Sequence, residues 1–406
     1  MTTFAESALS YLDAREGSSD RHDAWKTFEN LGLPTTVDEV WRYAPLKDLD
    51  LDRFTLAAEA TLPDLSDFAL ALGERAGMVV RVVDGFLVDV SGSLEGVNVE
   101  SRESQWSQRY ESDAFAQLNC ALTPGTITLS VDDDVNVAAP IVILNTTTSG
   151  ASFPQLRIAL GRSAQASVVE YLDGGRDALV VPLTHYDLSD NASLQVSTYQ
   201  RLDMSAWHIA RSTGLLSRDA RLRQAVISLG AHYNRSRNDA EFLGTGAENE
   251  LRTTFLGSSD QVHDFRTRQF HQVGRTHSTL LSKGAVADHS RSVYTGLIEI
   301  EKGAKRTDAR QTNHNLLLSP HAHADSVPNL DIRENDVMCA HASSVGPLDE
   351  LQRWYLESRG VSRPDAERLM IQGFFYEMLA TLPRSLAEVV ERDLGETLSR
   401  VEIVTP

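Results

Sequence analysis

Four stretches of the chain read alike: Ala166-Ser-Val-Val-Glu-Tyr171, Ala192-Ser-Leu-Gln-Val-Ser-Thr-Tyr199, Ala220-Arg-Leu-Arg-Gln-Ala-Val-Ile227 and Ala247-Glu-Asn-Glu-Leu-Arg-Thr-Thr254. Each begins on a small residue after a polar turn and continues with the alternation of side chains that a strand imposes. Their first alanines lie 26, 28 and 27 residues apart, and two further steps reach Arg275–Ser278 and Gly303-Ala304. A period of this size suits a chain in which each turn buries its apolar face only against the turns before and after it. Because the unit is strand and tight turn, the expected core is a β-solenoid, or β-helix. The competing arrangement is a large sandwich with accidental spacing.

Other short alternating segments, among them Thr126–Val131, Leu156–Leu160 and Leu251–Leu256, extend the pattern over residues 125–346. The fold class is therefore mainly β, with helical regions at 1–124 and 347–406. In the first of these, Trp25, Phe28 and Leu31 fall at helical spacing before Gly32 and Pro34. Thr36-Val-Asp-Glu39 has the form of a capping box. Met78–Val83 and Gly85–Val90 form a hairpin signal around Asp84-Gly85. In the second, Leu351, Trp354 and Tyr355 make an i, i+3, i+4 stripe, and Ser362–Asp365 and Ser385–Glu388 are cap patterns. So small a helical module must dock on the core or on a partner.

Composition excludes several functions. The 406 residues carry 38 basic against 57 acidic side chains, a net charge of −19, which opposes binding to a nucleic-acid backbone. No apolar run approaches membrane-spanning length, and the first residues lack a basic leader, so a cytoplasmic chain is expected. Two cysteines, Cys120 and Cys339, are too few for a disulfide framework or a self-contained Cys-ligated metal site. Gly244-Thr-Gly-Ala-Glu-Asn249 lacks the third glycine of a dinucleotide fingerprint, and there is no phosphate loop or nucleophile elbow.

Three constellations remain. Gln311, Asn313 and Asn315 alternate, so on a strand they share a face, which could stack as an amide ladder between coils or simply face solvent. His321, His323 and Asp325 alternate in the same way and could offer metal ligands, although Ser319-Pro320 signals a turn. Cys339-Ala-His341 ends a strand-like run with thiol and imidazole at i, i+2, a pair able to ligate a soft metal such as iron if another subunit completes the site. The competing role for both residues is packing in a core.

Residues 306–360 resemble the SufB/SufD family of iron–sulfur cluster assembly scaffolds. The matching pieces are Ala309–Ser319, Pro328-Asn-Leu-Asp-Ile332, Asp336-Val-Met-Cys-Ala-His341, Val345-Gly-Pro-Leu-Asp-Glu350 and Tyr355-Leu-Glu-Ser-Arg-Gly360. Trp41-Arg-Tyr-Ala-Pro-Leu46 and Gly373-Phe374 extend the likeness towards both ends. Chain length and His341 resemble the SufD branch more than the SufB branch. The resemblance implies a right-handed parallel β-helix and a non-catalytic role. It also implies a complex with a SufB-like subunit along the β-helix, near its C-terminal end, and with a SufC-like ATPase on the C-terminal helices. His341, with Cys339 as second candidate, would lie at the SufB interface beside a transient iron or iron–sulfur cluster, with no stably bound cofactor. Where the family carries Gly-Ala-Thr after the histidine, this chain reads Ala342-Ser-Ser344, and nothing is implied for His321 or His323. The alternatives are a β-helix carbohydrate-active enzyme, or a SufB-like or homodimeric member of the same family.

Overall fold

The computed structural model describes residues 3–15, 19–103, 106–110, 112–148, 150–379, 382–401 and 403. Its centre is a parallel β-solenoid built from two facing sheets. The first has ten strands: the hairpin β1 (Met78–Val83) and β2 (Phe86–Gly92), then β5 (Ile141–Thr147), β8 (Gln165–Gly174), β11 (Ser193–Leu202), β13 (Arg221–Ser228), β15 (Glu248–Gly257), β17 (His277–Val286), β19 (Asp308–Leu317) and β21 (Met338–Gly346). The second begins with β3 (Val97–Arg102) and β4 (Thr126–Val131). It continues through β7 (Gln155–Leu160), β10 (Leu183–Leu188), β12 (Trp207–Leu216), β14 (Tyr233–Phe242), β16 (Val262–His271), β18 (Arg291–Ile300) and β20 (His323–Ile332). Short strands β6 (Ala151–Ser152) and β9 (Leu179–Val180) complete it.

The repeat that decides this fold is set at the corners. Ala164, Ala192, Ala220 and Ala247 are fully buried, and each amide closes a tight turn onto the residue three before it. Ser163, Asn191, Asp219 and Gly246, just ahead of them, adopt positive φ. Small polar residues and glycine tolerate that conformation, which is why the turn chemistry recurs. The equivalent residue of the first coil is thus Ala164, not Ala166: Ser193 pairs with Gln165. The next two corners fall at Thr276 and Thr307, whose hydroxyls are 3.2 Å apart.

Asp84 and Gly85 both have positive φ and make the tight turn between β1 and β2. β1 then pairs parallel with β5, so it joins the solenoid stack. The capping box at Thr36 does not form. Asp38 instead accepts from the Thr35 amide at 2.8 Å and leads into a three-residue 3-10 turn, Glu39–Trp41. The side chain of Ser385 lies outside the described residues.

Helices cover the outer faces. Helices α1 (Phe4–Asp13), α2 (Ser19–Leu31) and α4 (Ala114–Leu122) pack with Trp41 over Leu183, Trp207 and Ile209 of the second sheet. Helices α3 (Asp67–Gly73), α6 (Arg363–Leu379) and α7 (Arg384–Arg400) close over Tyr171, Tyr199 and Ile227 of the first. The Tyr199 hydroxyl donates to Asp393 at 2.6 Å, and Lys283 pairs with Glu377 at 2.7 Å. By contrast α5 (Glu350–Ser358) buries no residue, and its Leu351, Trp354 and Tyr355 stripe points to solvent.

Candidate functional site

The last coil differs from those before it because, among the described residues, no further strand is stacked on it. β19 and β18 are flanked on both sides, whereas β21 and β20 each end a sheet. Register carries the interior face outward to these two strands. Ala309, Gln311, Asn313 and Asn315 of β19 are buried, and they pair with Cys339, His341, Ser343 and Val345 of β21. Paired residues share a face of the sheet. The side chains that would line the lumen in an inner coil therefore stand at its open end, and His341 is exposed.

The site is held by bonds between the two sheets. The Ser343 hydroxyl donates to the Ser326 hydroxyl at 2.7 Å, and Asn313 Nδ2 donates to the same Ser326 oxygen at 2.9 Å. Deeper in, Tyr294 donates to Gln311 Oε1 at 3.3 Å and Ser292 to Asn315 Oδ1 at 3.4 Å. The amides of β19 thus bond across the core to β18 and β20. They are neither a solvated face nor a ladder between coils, because they are buried and their neighbours in β17 are Leu280, Ser282 and Gly284. Strand parity placed Gln311, Asn313 and Asn315 on one face, but Ser326 and Ser343, the partners that close the lumen, carried no signal in sequence.

Cys339 and His341 lie two residues apart on that open face. Cys339 packs against the apolar cluster of Ile298, Ile300, Ala304 and Ala309 and is half-buried. Burial pushes its thiol pKa up, and the neighbouring Asp308 carboxylate adds to the effect, so the neutral thiol is favoured. Asp308→Asn should therefore lower that pKa and speed alkylation of Cys339 by iodoacetamide near pH 8. Cys120, fully buried on α4, should stay silent. An unchanged rate would show that Asp308 does not act on the thiol.

The histidine triplet behaves differently. β20 starts only at His323, so His321 falls in the preceding turn, where it stacks on His289 at 4.9 Å. His323 Nε2 lies 3.2 Å from Asp325. Among the described residues no group of three or more His, Cys, Asp or Glu side chains could hold a metal ion. The Cys339–His341 pair offers two ligand atoms and can hold a metal or cluster only with ligands from another molecule. Also among the described residues, no helix is long and apolar enough to cross a membrane.

Residues 142–374 match the family model described as SUF system FeS cluster assembly, SufBD core domain. The iron-sulfur cluster assembly protein SufD of Escherichia coli is 27% identical over 405 residues, covering 96% of this chain and 95% of that protein. The protein of the same name from Bacillus subtilis is 29% identical over 295 residues, or 70% of this chain and 68% of its own length. The chloroplastic protein ABCI7 of Arabidopsis thaliana is 24% identical over 413 residues, 93% of this chain and 86% of its own.

Proposed function

The chain belongs to the SufBD family of the SUF system for iron–sulfur cluster assembly, and from that premise we propose that it is a SufD-type scaffold subunit with no catalytic centre of its own. In this reading its last coil pairs with a SufB-like subunit, and the two together frame a transient site for the iron–sulfur cluster, which is cargo rather than resident cofactor. His341 is the ligand or proton-handling group from this side and Cys339 the second candidate.

The observation that supports this best is the unfinished edge of β21. Free strand edges invite pairing with another chain, and a self-contained fold normally blunts or covers them. β20 is blunted by Pro328 though it exposes Leu330 and Ile332, whereas β21 has no proline, leaves its edge open and exposes Met338 and Val345. A partner strand added there would cover those residues and bring new ligands over Cys339 and His341. It would also supply what two cysteines in one chain cannot. Leu351, Trp354 and Tyr355 of α5, and Leu369 and Tyr376 of α6, are exposed apolar side chains on the C-terminal helices, where the proposal seats a SufC-like ATPase.

Anaerobic co-purification of this chain with co-expressed partners, followed by iron and sulfide analysis, tests the proposal. A complex containing a second β-helix subunit, an ATPase and acid-labile sulfide is the expected result. Recovery of this chain alone or only as a homodimer, without iron or sulfide, would overturn it.

A further inference from the structure

The second sheet carries a basic column on its outer face, in a chain whose net charge is −19. Arg211 of β12 pairs in register with Arg237 of β14, and Arg237 with Arg266 of β16. Side chains so placed are only about 5 Å apart at Cβ, where like charges repel. Carboxylates offset the column, Asp113 at Arg211 and two shared ones beyond it. Asp239 serves both Arg211 and Arg237, and Asp264 serves both Arg266 and Arg235.

The segment Glu39–Tyr43 crosses this face. Trp41 sits on the Arg235 guanidinium, 3.7 Å from carbon to ring centroid. Beside it is a cavity of about 420 Å³ lined by Arg42, Arg235, Arg237, Arg266 and Arg268, with Glu39 and Asp239 the acids among the described lining residues. Val40, Tyr43, Leu297 and Val327 also line it. Arg266 is only 7% exposed, yet its Nη2 has no hydrogen-bond partner among the described residues. Leaving a buried guanidinium N–H without an acceptor is unfavourable, and an oxyanion in the cavity would satisfy it.

We propose that this cavity binds a small phosphorylated molecule, with the phosphate held between the register-paired Arg237 and Arg266 and an apolar or planar remainder against Val40, Tyr43, Leu297 and Val327. Guanidinium groups match phosphate geometry by bidentate donation. Val40, Tyr43, Leu297 and Val327 supply the apolar part of the lining and suit the uncharged part of the ligand. Arg42, exposed at the rim, adds attraction on approach. Binding here needs neither His341 nor a paired edge on β21.

Calorimetric titration of the isolated chain with phenyl phosphate at low ionic strength tests the assignment. Saturable binding at one site is expected. Arg237→Gln should weaken it about tenfold or more, as loss of a charge-assisted bond implies. Arg176→Gln, an equal change of charge outside the cavity, should leave it unaltered. No saturable binding, or equal affinity in the Arg237→Gln variant, would overturn the proposal. If that variant fails to fold by circular dichroism, Arg237→Lys, which keeps the charge but loses the bidentate fork, takes its place with the same two outcomes.

Discussion

His341→Ala should leave the fold and the subunit complex intact while the iron and sulfide recovered with the complex fall at least about tenfold, the lower end of what disturbing a metal ligand's surroundings costs. The separation of the two effects follows from where the side chain stands. His341 occupies an interior-facing register position opposite Gln311, but beyond it there is no further coil, so the imidazole is exposed. It makes no described hydrogen bond or ion pair, and its removal should change stability by no more than about 0.5 kcal/mol. Thermal unfolding and size-exclusion chromatography check the first half of this expectation. Iron and sulfide assays on the anaerobically purified complex check the second. Equal cluster content in variant and wild type would remove His341 from the proposed site and leave Cys339 as the chain's candidate ligand.

A second large effect is expected from Ser343→Pro, which should separate this chain from the proposed SufB-like subunit without unfolding it. The Met338 amide donates to the Thr307 carbonyl of the preceding coil at 2.9 Å. Backbone groups in a parallel ladder alternate in direction, so Ala340 and Ala342 also face β19. Cys339, His341 and Ser343 turn theirs to the open edge. Proline at Ser343 therefore removes a donor that β21 does not use internally, which is where edge strands tolerate proline. For an incoming strand it removes one bond and adds a clash, worth about 3 kcal/mol, or more than a hundredfold in affinity. Ser343→Ala separates the hydroxyl from the backbone: it loses the bond to Ser326 but keeps the edge donor, and pairing should survive. If Ser343→Pro still co-elutes with the partner at wild-type affinity, the pairing does not use this edge.

How much of this was legible in the sequence differs from residue to residue. The buried corner alanines and the positive-φ residues before them recur because each coil solves the same local turn, so their spacing exposed the solenoid. The first coil was misjudged by two residues, because Ala164 and Ala166 are both small and flank the same corner. Parity of side chains along β19 was readable, but the partners of Gln311, Asn313 and Asn315 were not. Those partners lie on β18 and β20, and which residues face across a lumen depends on how both sheets close. His321 was separated from His323 by where β20 begins, which the Ser319-Pro320 turn had signalled.

By itself the sequence determined the solenoid, the helical regions at both ends and the family, because those rest on local turn chemistry, alternation and ordered motifs. Only the tertiary structure decided that His341 stands at an uncovered end rather than in a lumen, and that the stripe on α5 faces solvent. It also decided that Arg211, Arg237 and Arg266 form one column. Such residues are some 26–29 positions apart in the chain and become neighbours through strand register alone. Register is set by the closure of each coil on the one before, a property that no local stretch contains.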